Sequence, residues 1–313
     1  MKTRLPIRRQ LFLAAAAMVV ITGFAFGLYQ FVVSPATAAT TWTWDGRIWH
    51  VGARQLGSPP MRSTTVAYDP RSHSIVMFGG VDYGSNSDYF DTWTWGDGRW
   101  QAQHPSTSPD HAVGSLAPAP SGRVAYVTTG SMYVWDRGNW KVASVPANLF
   151  GGFTNSFVYD AQLKEDVYFD GASNTWAWNG VSWTTLTTSC PSCSMQEPHG
   201  GMLASTGGQL IYMLPVTIEC CPRLVKTVTY EFGTGGWTEA SRDDFPDTVS
   251  LVVANPLTGK LTAFFENERE MHLVWDGQSW NLVKSNDGYP GGSSRAAAFD
   301  PDHRVDVLYG GFD

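Results

Sequence analysis

An aromatic residue followed five positions later by tryptophan, with a glycine-containing turn between them, marks six segments of this chain of 313 residues. The pairs are Trp44/Trp49, Trp95/Trp100, Trp135/Trp140, Trp178/Trp183, Phe232/Trp237 and Trp275/Trp280. All 14 tryptophans fall inside the six segments that carry these pairs, of which "DTWTWGDGRW" (Asp91–Trp100) is the clearest. Ligand-binding aromatics are scattered, whereas a fixed place in every copy marks a structural repeat. Between the two members lies a glycine-containing turn, and Asp45-Gly46, Asn179-Gly180 and Asp276-Gly277 suit the positive φ of a two-residue hairpin turn. Before the turn, residues alternate with period two, as in Trp42-Thr43-Trp44. Each segment is therefore predicted as a β-hairpin. With Asp45-Gly46 at the tip, Trp42 falls opposite Trp49, and Trp176 falls opposite Trp183. The six second members (Trp49, Trp100, Trp140, Trp183, Trp237 and Trp280) are assigned to a core between packed sheets.

A second pair of apolar segments precedes most hairpins. "STTVAYDPRSHSIVMFGG" (Ser63–Gly80) and "SRAAAFDPDHRVDVLYGG" (Ser294–Gly311) are the clearest, and "NSFVYDAQLKEDVYFDG" (Asn155–Gly171) matches them. Each reads as strand, polar turn, strand. The unit then has four strands and a period of about 40–55 residues, which is the signature of a β-propeller blade. The order Tyr68-Asp69-Pro70, Met77-Phe78-Gly79-Gly80, Asp91–Trp100 resembles the bacterial Kelch-type repeat of the galactose oxidase/Kelch propeller superfamily. The resemblance runs from about Thr41 to Asp313. It is degraded where the double glycine is lost, at Thr129-Gly130, Leu214-Pro215 and Phe265-Glu266. It implies a fold and no shared activity, because propellers host many unrelated functions.

Counting units gives six blades. The first hairpin (Thr41–Val51) lacks its own preceding strand pair, and the last pair (Ser294–Gly311) lacks a hairpin. Joined, they complete one blade and remove the open sheet edges. The fold class is thus all-β, a six-bladed β-propeller over 40–313, closed by its two ends. In such a ring the blade-to-blade and second-to-third-strand connections share one face. That face receives the long loops, including Val81–Phe90, Gln103–His111, Thr187–Gly200, Val216–Lys226 and Lys284–Ser293. Long loops are where function concentrates.

Residues 1–39 read as a targeting segment. Lys2, Arg4, Arg8 and Arg9 precede an uncharged run, Leu11–Val33, long enough for a membrane-crossing helix. Ala36-Thr37-Ala38 fits a signal-peptidase site. Two readings stand, a cleaved signal peptide and an uncleaved anchor, and both place the propeller outside the cytoplasm, secreted or tethered. Without the four cations of this segment the formal net charge moves from −7 to −11. That acidity argues against nucleic-acid or anionic-membrane partners. The only membrane contact expected is an uncleaved anchor, and a monomer is expected.

The four cysteines form two groups, Cys190/Cys193 and Cys220/Cys221, in loops of the same face and the same blade. An even count in an exported domain points to two disulfides across the groups, with the pairing open; the competing reading is a zinc site that could borrow His199. The resemblance raises copper chemistry, since galactose oxidase holds copper with tyrosine and histidine. The seven histidines here are scattered over different blades and faces, so no cofactor or metal is expected. The candidate ligand-binding residues are Asp82, Tyr83, Asp88 and Tyr89, in the loop between second and third strands of the first complete blade. The function read from these features is an interaction module for a protein or glycan at the cell surface. The alternatives are a carbohydrate-active enzyme using loop carboxylates (Asp82, Asp88, Asp243, Asp244, Glu266 or Glu268) and a structural envelope protein.

Overall fold

The computed structural model describes residues 39–52, 57–147, 149, 156–171, 173–188, 201–206, 208–218 and 224–312. The chain divides into Met1–Thr37 and Ala38–Asp313, and all the described residues belong to the second unit. Residues 1–38 of the targeting segment and all four cysteines (Cys190, Cys193, Cys220 and Cys221) lie outside the described residues, and so do the readings that rest on them.

The described residues form an all-β propeller of six sheets. The chain enters through β1 (Thr41–Trp44) and β2 (Trp49–Val51). The first complete sheet is β3 (Ser63–Asp69), β4 (Ser74–Asp82), β6 (Thr92–Gly96) and β7 (Arg99–Gln103), with the short β5 (Ser87–Asp88) paired to β4. The second is β8 (Ser115–Ala119), β9 (Arg123–Thr128), β10 (Ser131–Asp136) and β11 (Asn139–Ala143). The third is β12 (Phe157–Asp160), β13 (Glu165–Phe169), β14 (Thr175–Trp178) and β15 (Trp183–Thr187). The fourth is β16 (Met202–Thr206), β17 (Gln209–Ile218), β18 (Leu224–Gly233) and β19 (Gly236–Asp244). The fifth is β20 (Val249–Asn255), β21 (Lys260–Phe265), β22 (Met271–Trp275) and β23 (Trp280–Lys284). The sixth is composite, in the order β2-β1-β25-β24, with β24 (Ser293–Asp300) and β25 (Val305–Phe312). Thr41 is there paired with Tyr309 and Trp44 with Asp306. The first strand of each sheet lies innermost, β3 beside β8, β8 beside β12, β12 beside β16 and β16 beside β20, while β24 touches both β20 and β3.

The fourth sheet corrects one loop boundary. Residues 216–226 were expected as a long loop, yet Val216, Thr217 and Ile218 pair with Lys226, Val225 and Leu224. The β-branched residues continue the strands, and only 219–223 separate them.

The hairpins also correct the expected register. Trp44 itself opposes Trp49, while Trp42 opposes Val51. Likewise Trp178 opposes Trp183, and Trp176 opposes Thr185. The cause is the side chain before the glycine. Asp45 Oδ1 accepts the N–H groups of Arg47 at 2.8 Å and Ile48 at 3.0 Å. Asn179 and Asp276 do the same for the residues two and three positions on. These side chains imitate a turn carbonyl, so they take its first position. Only the following glycine adopts positive φ (Gly46 90°, Gly180 96°, Gly277 105°), and the tip moves one residue along. Asp97-Gly98 and Arg137-Gly138 are the hairpins in which both tip residues have positive φ.

The two aromatics of all six pairs thus lie directly across from one another. Their ring centroids lie 5.1 Å apart in the second sheet and 6.3 Å apart in the third, with the other four in between. The second tryptophan also reaches the neighbouring sheet. Its Nε1 donates to a threonine hydroxyl there: Trp100 to Thr41 (2.8 Å), Trp140 to Thr92 (2.9 Å), Trp237 to Thr175 (2.8 Å) and Trp280 to Thr229 (3.0 Å). Each threonine sits three residues before the first aromatic of its own hairpin. Two sheets carry another residue at that place, and the link fails there. Met132 offers no acceptor, so Trp183 donates to the Ser144 carbonyl at 2.9 Å and stays half-exposed, unlike the five other second members, which are buried. His272 occupies the place facing Trp49, whose buried Nε1 is left without a partner.

Candidate functional site

The loop that holds Asp82, Tyr83, Asp88 and Tyr89 is a rigid extension of the first complete sheet. Val81 pairs with Asp88 and Asp82 with Ser87. The Asp82 carboxylate closes the tip by accepting the Gly84 N–H (2.8 Å) and the Ser85 hydroxyl (2.7 Å). These bonds, the Ser85 hydroxyl first, hold its carboxyl below the usual carboxylate range. Asp82 is therefore engaged in making the turn.

Tyr89 is also engaged. The Arg62 guanidinium lies 3.7 Å from the centre of its ring, a cation–π contact. Arg62 is fully buried, forms a two-pronged pair with Asp91 and donates to the Gly79 and Pro60 carbonyls, each at 3.2 Å. Trp93 Nε1 donates to the same carboxylate at 2.7 Å. Burial pushes the Asp91 carboxyl up, but the hydrogen bonds of Arg62 and Trp93 outweigh it and hold it below the ordinary range. The double glycine explains how this cluster fits. At Gly79 and Gly80 φ is 64° and 109°, and a side chain on either would strike the Ala112 or Ser63 carbonyl. Gly80 N–H instead bonds to the Ala112 carbonyl at 2.8 Å. Nothing in the local sequence around Arg62 marks it as buried.

What this scaffold presents outward is Tyr83, 66% exposed, Phe90, 48% exposed, and the exposed Asp88. Of the four candidate residues, two shape the loop (Asp82 and Tyr89) and two face solvent (Tyr83 and Asp88).

The inner strands surround a central cavity of about 370 Å³. Ala67, Ala117, Val158, Ala204, Val252 and Ala297 contribute one wall residue from each inner strand. Among the described residues no charged side chain lines it; its polar side chains carry hydroxyls, among them Tyr68, Tyr159 and Ser205. Ala161, Pro256 and Pro301 belong to first-to-second-strand turns, so the cavity lies toward the face opposite the Val81–Phe90 loop. At its rim the Tyr68 hydroxyl donates to Asp302 at 2.5 Å, and His73 Nδ1 lies 3.1 Å from the same oxygen. Ser205 Oγ donates to Asp160 at 2.8 Å. Each contact joins two neighbouring blades.

Three of the other candidate acids are individually occupied. Asp244 pairs with Lys226 at 3.0 Å, Asp243 accepts from Ser241 at 2.7 Å, and Glu268 accepts the Glu270 N–H at 2.9 Å. Among the described residues no three metal-ligating side chains gather, and His199 lies outside them.

No family model matches this chain, and no curated protein matches it. Solved structures do. The structure of YjhT is similar over 75% of this chain and 87% of its own, with a TM-score of 0.54 and 11% identity. The RRP9 WD40 repeats match over 83% and 97%, with a TM-score of 0.51 and 11% identity. A structural genomics protein of unknown function from Bacteroides thetaiotaomicron matches over 87% and 76%, with a TM-score of 0.51 and 10% identity. At such identities the likeness concerns the fold alone, and with the six sheets it establishes the chain as a six-bladed β-propeller.

Proposed function

We propose that this protein is an exported, Kelch-like propeller that binds a protein or glycan at the cell surface through the Val81–Phe90 loop. One observation carries the reading. The loop is fixed by strand pairing, by the Asp82 turn and by the Arg62–Tyr89 contact, yet Tyr83 and Phe90 stand exposed on it beside Asp88. A rigid loop loses little freedom on binding, and tyrosine anchors are favoured at interface hot spots. The composite sixth sheet is inferred to be the clasp that closes the ring, because it joins a strand pair from each end of the propeller.

The test is binding of the purified exported protein to a glycan array and to isolated envelope proteins. Tyr83→Ala should weaken binding roughly tenfold or more. Val181→Ala, 82% exposed at a hairpin tip of the other face, should leave it unchanged. Equal loss in both variants, or none in either, would overturn the assignment of this loop. The expected location is checked separately. Protease added to intact cells should degrade the propeller or find it already in the medium, and complete protection would refute export.

A further inference from the structure

Asp136 ends β10, and its side chain is almost fully buried. Three cations converge on it: Lys141 Nζ at 2.5 Å, Arg123 Nε at 3.3 Å and Arg71 Nη1 at 3.7 Å. Arg71 comes from the turn between β3 and β4, crosses the junction and donates to the Ser121 carbonyl of the next sheet at 3.1 Å. Hydrogen bonding from Lys141, followed by the pull of Arg123 and Arg137, holds the Asp136 carboxyl below its ordinary range, so it is ionised at neutral pH. Arg137 is exposed in the adjoining turn. The other acid touching the group is Asp69, whose carboxylate accepts the Arg71 backbone N–H and the Ser72 hydroxyl. Four cations thus meet two carboxylates, on a propeller whose net charge is strongly negative.

Arg123 Nε and Asp136 Oδ1 are both buried and lie 3.3 Å apart, so the guanidinium is held against the carboxylate. Lys141 is 61% exposed and Arg71 47% exposed, so both keep donors free toward solvent. Planar guanidinium groups held by a shared carboxylate are preorganised to grip an anion with several oxygens.

We propose that Arg71, Arg123 and Lys141, anchored by Asp136 at the junction of the first two complete blades, form an oxyanion site for a phosphate or sulfate group. It lies on the turn face, away from the Val81–Phe90 loop, and does not depend on that loop's role. Titration of the full exported chain with sodium phosphate and with sodium sulfate, at constant ionic strength in sodium chloride, tests it by calorimetry or amide chemical shifts. Saturable binding of either ion with a single site is expected. Phosphate alone would mark a phosphorylated ligand, and sulfate alone a sulfated one. Arg123→Gln and Arg71→Gln should each weaken binding roughly tenfold, since each removes charge-assisted hydrogen bonds. Arg304→Gln, exposed in the turn before β25, should not. Arg71 lies in an exposed turn, so its variant keeps the test valid should Arg123→Gln fail to fold. No saturation by either ion, or saturation indifferent to Arg71, would overturn the site.

Discussion

Trp237→Ala should lower the stability of the propeller by about 3–5 kcal/mol, the range for deleting a large aromatic from a packed core. Trp237 is 1% exposed and touches three aromatic rings, Phe169 and Tyr212 at 4.8 and 6.1 Å and Phe232 at 5.2 Å. Its Nε1 is satisfied by Thr175 of the neighbouring sheet, so the residue joins two blades. Thr175→Val keeps the shape and removes the acceptor, leaving a buried donor unpaired at about 1–3 kcal/mol. Trp183→Ala should cost clearly less than Trp237→Ala, because Trp183 is half-exposed and lacks the threonine partner. Denaturant midpoints followed by tryptophan fluorescence compare the three. Equal losses for Trp183 and Trp237 would sink the claim that interblade burial sets the effect.

Asp306→Leu should stabilise the protein at alkaline pH by about 4 kcal/mol and change it little near pH 4. Asp306 is buried beside Trp44 in β25, and its Oδ1 finds no partner. The equivalent place in other sheets is Ile75, Val124, Leu210 or Leu261, with Asp166 as the second exception. Burial pushes the Asp306 carboxyl up to about 7. An unfolded aspartate ionises near pH 4. Below that, both states hold the proton and nothing is lost. As pH rises toward 7 the unfolded chain releases its proton while the folded one retains it, so stability falls and then levels off. The leucine variant should lack this decline, which pH-dependent unfolding of both chains would show. A parallel pH profile in the two would refute the burial argument. Asp166 is raised in the same direction by the same cause, and neither of its oxygens has a partner.

Much of the fold was legible because it repeats. Six aromatic pairs at constant spacing identified six hairpins, and the unpaired hairpin near Thr41 together with the unpaired strands near Gly311 indicated a composite sheet. The register was misread because the Asp-Gly dipeptide has two uses. Asp97 is itself a tip residue with positive φ, whereas Asp45 caps the turn from one position earlier, and the letters are identical. The site was legible only in part. Loop length pointed to Val81–Phe90, but local sequence could not show that Asp82 would be consumed by its own turn, or that Tyr89 would lie against Arg62.

The sequence alone determined the number of blades, the strand order within each and the aromatic core between them, since spacing and period are local properties that the backbone must obey. Tertiary structure decided which polar groups meet. Arg62 finds Asp91 across 29 residues, Trp100 finds Thr41 across 59, and Arg71 meets Asp136 across a blade junction. Those meetings depend on how neighbouring sheets stack, and a charge or hydroxyl carries no mark in the sequence of the partner that stacking will give it.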